Sequence, residues 1–448
     1  MIKITTKDIG KVINVTLNSE KKEIIYKGNL IEFTDEIIKL KLIDNGYNIG
    51  ILQKDIKKIE ILDEKVSLGK ITSKKTKENK DLPNIVYIGT GGTIGTHVDY
   101  VTGAVTMCRT PEEIISTTPE IENIINIKKI ESPFIKASED IYYKDWQKLS
   151  EIVYKYLIDD TIDGIIITHG TDTLSFTGSA LSFMIENINK PVLLVGAQRS
   201  PDRASFDGSQ NLICASIFIK EKIPGVFTVM HGSINDDYCE VINSVKSRKM
   251  HTSRRDAFKA INSQAICKVY LDGKIKYNLD KENLKNKNKK PILNNFFEEK
   301  TALIKLYPNS DPSIIDWYIE KGYKGIILEG TGLGHVPTGQ EDKEKLPAEY
   351  QWVLHIKKAT EKGIVVILSS QCLFGRVNGK VYANLRYIAN AGGEYLDSHD
   401  MLPEVALIKL GIALKKFNKR EDIINYMKKN ISGEITDKEV PEYYEESI

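Results

Sequence analysis

The amino-acid sequence predicts an α/β protein with a two-lobed core of parallel sheets, preceded by a small β-barrel. Three observations predict this class. Short, partly alternating apolar runs fill residues 1–72, which is typical of small all-β domains. From Pro83 onward, continuously apolar runs alternate with helical stretches. A polar tract near residue 285 divides this alternating region, which indicates two successive α/β units.

Residues 1–72 are expected to form a small barrel that serves for docking and carries no catalytic group. Its partly alternating runs lie at 12–17, 29–33, 37–43 and 58–62. Turn sequences at 27–29 and 44–46 separate them, as in antiparallel hairpins. Residues 73–83 are expected to form a linker, because they are rich in lysine and have little apolar surface to bury.

The first α/β unit is predicted at residues 84–280. Apolar runs of the kind that form strands buried on both faces lie at 86–89, 164–168, 191–196 and 225–230. A helix is predicted to begin at Pro111, because proline suits the first position of a helix. Another is predicted around 145–153, where the apolar residues share one face. This alternation favours a mainly parallel sheet covered by helices.

A second α/β unit is predicted at residues 299–448, after a linker at 281–298. The linker prediction depends on a stretch rich in Lys, Asn and Glu that has almost no apolar residues. Predicted strands of the second unit lie at 302–306, 325–329 and 364–368. Residues 441–446 are expected to be a tail that is loose or held by a partner.

Composition restricts the function classes. The chain has 448 residues, 41% hydrophobic and 28% charged, which is ordinary for a soluble globular protein. A formal net charge of +2 gives no sign of extensive nucleic-acid binding by this chain itself. The five cysteines include no Cys-x-x-Cys pair, which fits a reducing compartment. We find no signal peptide or membrane-spanning segment, so a cytoplasmic protein is expected.

Two strand ends carry the residues most suited to catalysis. The apolar runs that precede residues 90–94 and 168–173 both end in loops of glycine and threonine. Carboxyl ends of parallel strands meet at one edge of a sheet, so both loops are expected in one site. A threonine hydroxyl needs a base to act as a nucleophile. Asp172, next to Thr171, can hold a lysine ammonium in that role, and the candidate lysines lie within 246–256.

The glycines at 89, 91 and 92 favour an oxyanion site, because they let backbone N–H groups approach a ligand closely. The loop lacks the lysine of a phosphate-binding P-loop and the last glycine of a dinucleotide fingerprint. His169 is a rival base, but a histidine that hydrogen-bonds locally to fix the loop is favoured. No histidine pair has metal-ligand spacing, so a catalytic metal is not expected. The residues favour addition to a carbonyl and an acyl-enzyme that water hydrolyses.

At these residues the chain resembles the bacterial-type L-asparaginase/glutaminase family. The two strand ends match the two signatures of the family in the right order, and shorter matches surround them. The matching segments are 90–95, 137–140, 168–173, 195–199, Lys249 and 256–259. The resemblance covers roughly residues 84–415 and leaves the predicted barrel outside.

The resemblance implies roles for individual residues. Thr93 would be the primary nucleophile, with Tyr100 on a flexible flap that closes over it. Thr171, Asp172 and Lys249 would form a second, triad-like cluster.

The resemblance also implies a substrate site. Ser138 and Asp172 would hold the α-carboxylate and α-amino group of an amino acid. Glu139 stands where many free-standing members carry glutamine. A carboxylate there would attract the ammonium group of the substrate and repel its carboxylate, which leaves the choice between asparagine and glutamine open.

A barrel and lysine-rich linker before this core resemble a tRNA-dependent branch of the family, the archaeal glutamyl-tRNA(Gln) amidotransferases. Segments 96–105, 200–205 and 392–395 resemble the same branch. The resemblance implies that this chain releases ammonia from glutamine, or less efficiently asparagine, through an acyl-threonine. A partner, the E-type amidotransferase subunit that binds tRNA and acts as a kinase, would use ATP and magnesium to activate glutamate on tRNA(Gln). This chain would need no cofactor or metal, and a homodimeric core within a heterotetramer is implied.

Two other functions are compatible with the sequence. A free-standing cytoplasmic L-asparaginase would use the same chemistry, but its activity would not respond to a partner, ATP or charged tRNA. A non-catalytic amino-acid sensor would keep the fold and bind substrate without turnover.

Overall fold

The computed structural model describes residues 4–18, 24–43, 48–62, 79–98, 105–107, 110–201, 203, 205–284, 289–339 and 346–445. Tyr100, the middle of the predicted flap and residues 73–78 of the predicted linker lie outside the described residues.

The N-terminal segment folds into one antiparallel sheet of five strands. They are β1 (Val12–Leu17), β2 (Ile24–Phe33), β3 (Ile37–Leu42), β4 (Asn48–Leu52) and β5 (Ile56–Leu62), with 3₁₀ turns at Thr6–Asp8 and Gln53–Asp55. The strand order is β4-β3-β2-β1-β5. Its core consists of Ile13, Val15, Leu30, Ile38, Leu40 and Ile51.

This sheet is open, so the predicted closed barrel is not confirmed. Among the described residues no hydrogen-bonded ladder joins the edge strands β4 and β5. The long strand β2 pairs with β1 and β3, with a register shift between Leu30 and Glu32 that bends it. The turn Gln53–Asp55 then carries the chain from one edge to the other without forming a hairpin.

The first α/β unit follows. Its elements are β6 (Asn84–Gly89), β7 (Thr96–Val98), β8 (Val105–Met107), α1 (Pro111–Ser116), β9 (Asn126–Glu131), α2 (Tyr143–Leu157), β10 (Gly164–Thr168), α3 (Leu174–Met184), β11 (Ile185–Glu186), β12 (Pro191–Val195), α4 (Gly208–Ile219), β13 (Gly225–His231), β14 (Tyr238–Asn243), β15 (Ser247–Lys249), β16 (Phe258–Ala260), β17 (Cys267–Tyr270), β18 (Ile275–Tyr277) and α5 (Lys281–Leu284). Short 3₁₀ turns lie at Thr93–Gly95, Pro119–Asn123, Ser138–Asp140 and Ser244–Lys246.

Eight of these strands form a mixed sheet in the order β18-β17-β14-β13-β12-β10-β6-β9. The five strands from β13 to β9 are parallel, whereas β14, β17 and β18 are added antiparallel. Strands β10 and β12 are buried at every residue, because helices cover both faces of the parallel part. The prediction of a mainly parallel sheet is therefore correct for the part that carries the two loops. The antiparallel edge differs because no helix connects its strands.

After α5, strand β19 (Ile292–Leu293) pairs with β11 of the first unit. The second α/β unit contains β20 (Thr301–Lys305), α6 (Ser313–Glu320), β21 (Gly325–Gly330), α7 (Trp352–Glu361), β22 (Val365–Ser370), α8 (Ala383–Asn390), β23 (Gly393–Glu394), α9 (Pro403–Lys416), α10 (Arg420–Lys428) and α11 (Glu442–Glu445), with a 3₁₀ turn at Ala348–Tyr350. Strands β20 to β23 form a parallel sheet in sequential order. The fold class predicted from the sequence, two successive α/β units, is thus confirmed.

Two segments of this region carry structure that the sequence analysis did not predict. Part of the predicted linker 281–298 is helical, because α5 packs Leu284 against the core of the first unit. The C-terminal segment is not loose, since the ring of Tyr444 in α11 lies 5.3 Å from that of Phe374.

The two α/β units share a core. Helix α9 of the second unit packs on α3 of the first, and Val405 and Ile408 lie in one buried cluster with Phe183 and Met184. The junction of the two units is therefore rigid enough to position residues across it. None of the helices in the described residues is long and apolar enough to cross a membrane.

Candidate active site

The two glycine- and threonine-rich loops lie side by side, as the sequence predicts. Strands β6 and β10 are parallel neighbours in which Gly89 pairs with Thr168. Thr90 then bonds across to β10: its backbone N–H and its hydroxyl both donate to the carbonyl of Thr168, at 3.1 and 2.8 Å. Both loops therefore leave the sheet at the same edge.

The loop that carries Thr93 depends on two glycines with positive φ, at 105° for Gly91 and 82° for Gly92. A Cβ atom on Gly91 would lie 2.4 Å from the carbonyl oxygen of Lys136. One on Gly92 would lie 2.3 Å from the Cα of Gly170. Only glycine fits such close approaches of backbone to backbone. Thr93 follows at the start of a 3₁₀ turn, partly exposed, and Thr96 Oγ1 donates to its carbonyl at 2.6 Å.

Lys249 is the lysine that reaches the second loop. Its Nζ donates to Thr171 Oγ1 at 2.8 Å and to Asp172 Oδ1 at 2.6 Å. Thr171 is buried, whereas the Asp172 side chain is 64% exposed. Lys246, the other lysine of the candidate stretch, lies elsewhere and pairs with Asp400 at 2.8 Å. The structure thus brings together the three residues of the predicted triad.

A short hairpin brings Lys249 to this position. Strands β15 and β16 pair with Lys249 opposite Phe258, and the N–H of Met250 donates to the carbonyl of Ala257 at 2.6 Å. In the loop between the two strands, Arg254 and Asp256 form an ion pair. Two guanidinium nitrogens of Arg254 donate to the two carboxylate oxygens of Asp256, at 2.8 and 2.7 Å. This bidentate pair fixes the loop that follows Lys249.

Ser138 lies beside the second loop. It is buried in the 3₁₀ turn Ser138–Asp140, and its carbonyl accepts a hydrogen bond from Thr173 Oγ1 at 2.6 Å. A Cβ atom added to Gly170 would lie only 2.8 Å from the hydroxyl oxygen of Ser138, so this side chain packs against the Gly170 backbone. Glu139, next in the turn, is exposed. The Ser138 side chain therefore lies against the loop that carries Thr171.

His169 fixes the loop and is not placed as a base. Its Nδ1 lies 2.7 Å from the Gly170 carbonyl, which can only accept, so Nδ1 carries the proton. Its Nε2 then accepts from Thr177 Oγ1 at 2.8 Å, and that oxygen accepts from the Trp146 indole at 3.1 Å. Burial lowers the pKa of His169 to about 4, so the ring is neutral near pH 7. Local hydrogen bonding, the alternative favoured from the sequence, is confirmed.

Several supporting residues were missed by the sequence analysis. Thr177 bonds His169 directly, and Trp146 donates to Thr177 from a different helix; no spacing in the sequence links either residue to His169. Buried Asp207 accepts hydrogen bonds from the backbone N–H groups of Gln198 and Arg199, at 2.9 to 3.1 Å, and fixes the loop after β12. A lone acidic residue in the sequence gives no signal of such a contact.

The side chains of the site suit acyl transfer to a hydroxyl. Two threonines lie on touching loops, one of them bonded to an ammonium group, and glycine backbone surrounds them. Within the part of the chain that the structure describes, no group of three or more His, Cys, Asp or Glu side chains could hold a metal ion.

Comparisons with protein families agree with this chemistry. Residues 84–283 match the family model for the N-terminal domain of asparaginase. Residues 300–427 match the glutaminase/asparaginase C-terminal domain. The two matches coincide with the two α/β units and exclude the N-terminal sheet.

Curated relatives match nearly the whole chain. The D-type subunit of glutamyl-tRNA(Gln) amidotransferase from Thermococcus kodakarensis is 40% identical over 96% of this chain and 94% of its own length. The corresponding D-type proteins of Pyrococcus horikoshii and Methanopyrus kandleri are 41% and 42% identical, over 96% and 90% of this chain and 95% and 85% of their own lengths.

Solved structures of asparaginases are similar to the two-unit core. The thermostable L-asparaginase from Thermococcus kodakarensis superposes with a TM-score of 0.68 at 26% identity, covering 79% of this chain and all of the asparaginase. L-asparaginase I from Vibrio cholerae gives a TM-score of 0.65 at 26% identity, covering 79% of this chain and 99% of its own.

Proposed function

This chain belongs to the asparaginase family and, within it, to the group of D-type subunits of glutamyl-tRNA(Gln) amidotransferase, and from this premise we propose its reaction. It hydrolyses the side-chain amide of glutamine, or less efficiently asparagine. The ammonia released serves a partner protein, which converts Glu-tRNA(Gln) to Gln-tRNA(Gln).

The observation that carries this proposal is the contact of one ammonium group with a hydroxyl and a carboxylate. Lys249 joins Thr171 and Asp172 on a loop that touches the loop of Thr93. An amidohydrolase needs a hydroxyl nucleophile together with groups that move a proton to the leaving nitrogen.

In the proposed reaction, Thr93 Oγ adds to the amide carbonyl carbon, and its proton passes through the Thr171–Lys249 pair to the amide nitrogen. The C–N bond then breaks, which releases ammonia and leaves an acyl ester on Thr93. Water, held by the same pair, adds to the ester carbonyl and frees the product carboxylic acid and the Thr93 hydroxyl. Backbone N–H groups of the glycine loop stabilise the oxyanion in both additions.

We assign the amino-acid end of the substrate to Ser138, Glu139 and Asp172. The Ser138 hydroxyl suits the α-carboxylate, and the two side-chain carboxylates suit the α-amino group. Tyr100, on the proposed flap over Thr93, lies outside the described residues.

The proposed assembly follows from the curated relatives. The five-stranded sheet lies outside both matched family domains, which makes it the candidate docking module for the partner, the E-type amidotransferase subunit. ATP, magnesium and most of the tRNA(Gln) contacts belong to that partner in this proposal. A net charge of +2 agrees with the division, because phosphate contacts need clustered Lys and Arg. We further propose a homodimeric core, a heterotetramer with the E-type partner, and a cytoplasmic location.

Ammonia release from glutamine tests the proposal, measured for the chain alone and with the E-type partner, ATP and Glu-tRNA(Gln). We expect the rate to rise sharply when all three are present. An unchanged rate would indicate a free-standing asparaginase instead. Thr93→Val and Lys249→Met should each abolish release while circular dichroism shows an intact fold. Turnover retained in both variants would contradict the threonine mechanism, and glutamine binding without wild-type turnover would indicate a sensor.

A further inference from the structure

The strand that carries Lys249 is tied to the second α/β unit by ion pairs. One guanidinium nitrogen of Arg248, the residue before Lys249, lies 2.6 Å from each carboxylate oxygen of Glu404. Glu404 is in the first turn of α9, where the helix dipole favours a carboxylate, and its side chain is only 5% exposed. A backbone displacement at Arg248 necessarily displaces Lys249.

A second pair holds the segment just before this strand. Lys246 Nζ lies 2.8 Å from Asp400 Oδ2, and both side chains are almost fully buried. Asp400 also accepts hydrogen bonds from the backbone N–H and the hydroxyl of Thr436, at 3.0 and 2.7 Å. Residues 246 and 248 therefore both reach into the second unit, whereas Lys249 reaches Thr171 in the first.

We propose that Arg248 and Glu404 are positioning residues, which hold β15 so that Lys249 meets Thr171 and Asp172. The inference rests on the proposed function, in which Lys249 is catalytic. Loss of either residue should slow turnover, because a displacement of about 1 Å of a catalytic group can cost on the order of a hundredfold in rate. Turnover at the site in the first unit thus depends on the position of helix α9, which belongs to the second unit.

Helix α9 offers a matched control at its other end. Lys416, in the last turn, pairs with Glu186 of the first unit. This pair also joins the two units, but Glu186 lies in β11, beyond helix α3 from the loop of Thr171. Loss of the Lys416 charge therefore weakens the same junction without touching β15.

The test compares Arg248→Met, Glu404→Gln and Lys416→Met by kcat and KM for glutamine and by thermal unfolding. We expect Arg248→Met and Glu404→Gln to lower kcat at least about tenfold with KM within about twofold, because the substrate contacts are kept. Lys416→Met should keep kcat within about twofold at a similar loss of Tm. Arg248→Lys should recover part of the lost kcat, since it restores a cation opposite Glu404.

Three outcomes would overturn the proposal: kcat retained in Arg248→Met, kcat retained in a folded Glu404→Gln, or equal losses in Lys416→Met. If Glu404→Gln fails to fold, Arg248→Met decides alone, because its side chain is 37% exposed and leaves a smaller defect. Lys249→Met separates this proposal from the proposed function. Turnover in Lys249→Met contradicts the mechanism itself, whereas inactive Lys249→Met with fully active Arg248→Met contradicts only the positioning role.

Discussion

Gly92 and Gly170 pack so closely that a Cβ atom on Gly92 would lie 2.3 Å from both the Cα and the backbone nitrogen of Gly170. Gly92 precedes Thr93, and Gly170 precedes Thr171. The two candidate hydroxyl residues are therefore coupled through backbone contact, with no side chain between the loops. A change in either loop is transmitted to the other, because neither backbone can retreat from close-packed surroundings.

Gly92→Ala should destabilise the protein and abolish ammonia release. Its φ of 82° strains any other residue, and the new methyl group would overlap the Gly170 backbone. Strain and overpacking together should lower the free energy of unfolding by about 2–4 kcal/mol. Urea denaturation and glutamine turnover measure the two effects.

Gly363→Ala is the matched control for this variant. Gly363 has the same φ of 82°, but a Cβ atom there would meet nothing within 4 Å. In Gly363→Ala the free energy of unfolding should fall by only about 1 kcal/mol, from backbone strain alone, and turnover should be fully retained. If Gly92→Ala were as stable and active as Gly363→Ala, the close contact of the two loops would be wrong.

His169 and His399, two of the buried histidines, should make the protein sensitive to acid. Burial lowers the pKa of His169 and of His399 to about 4 in the folded state. In the unfolded chain a histidine titrates near 6.5, so between pH 6.5 and 4 the unfolded state binds more protons. Stability should therefore fall as pH decreases through this window, by about 3 kcal/mol per histidine at pH 4.

Urea denaturation at pH 7 and pH 4.5 checks this prediction. His169→Gln and His399→Gln should each be less stable at pH 7, because each loses buried hydrogen bonds. Between pH 7 and pH 4.5, the free energy of unfolding of each variant should fall less than that of the wild type. The double variant should show the smallest fall. A double variant with the wild-type dependence on pH would contradict the assignment.

Much of the site was predictable because its residues follow strands whose apolar runs are unambiguous. Thr93 and Thr171 lie at the ends of β6 and β10, and parallel strands deliver both to one edge. Residue chemistry alone could not distinguish Lys246 from Lys249, because the choice depends on which way each side chain leaves a short segment. The resemblance to the family selected Lys249. The role of Glu404 could not be predicted from the sequence either, since its contact with Arg248 joins residues 156 positions apart.

The fold was predictable where burial is complete and less so at its margins. Periodicity located β1, β3, β5 and part of β2 in the N-terminal sheet, but it missed β4. It could not show whether the sheet closes, because closure depends on whether two edge strands meet. Charge density in residues 280–290 suggested a linker, yet in the short helix α5 Leu284 packs against the core of the first unit and Lys281 pairs with Glu221.

Glu139→Gln should raise KM for glutamine about fivefold and keep kcat within about twofold, because an exposed carboxylate contributes about 1 kcal/mol to binding an ammonium group. Steady-state kinetics with glutamine and asparagine measure the effect. Asp140→Asn is the control, since Asp140 is an equally exposed carboxylate in the same turn. An unchanged KM in Glu139→Gln, or an equal increase in Asp140→Asn, would contradict the assignment of Glu139 to the α-amino group.

Removal of residues 1–78 should separate basal turnover from its coupling to the partner. The superposition with the two solved asparaginases covers 99% or more of their chains but only 79% of this chain. The matched family domains begin at residue 84, after the five-stranded sheet. The two-unit core is therefore expected to fold without the five-stranded sheet and to release ammonia within about twofold of the full chain's basal rate. Stimulation by the E-type partner, ATP and Glu-tRNA(Gln) should be lost, as should co-elution with that partner in gel filtration. A truncated chain that is still stimulated would place the docking surface on the α/β units instead.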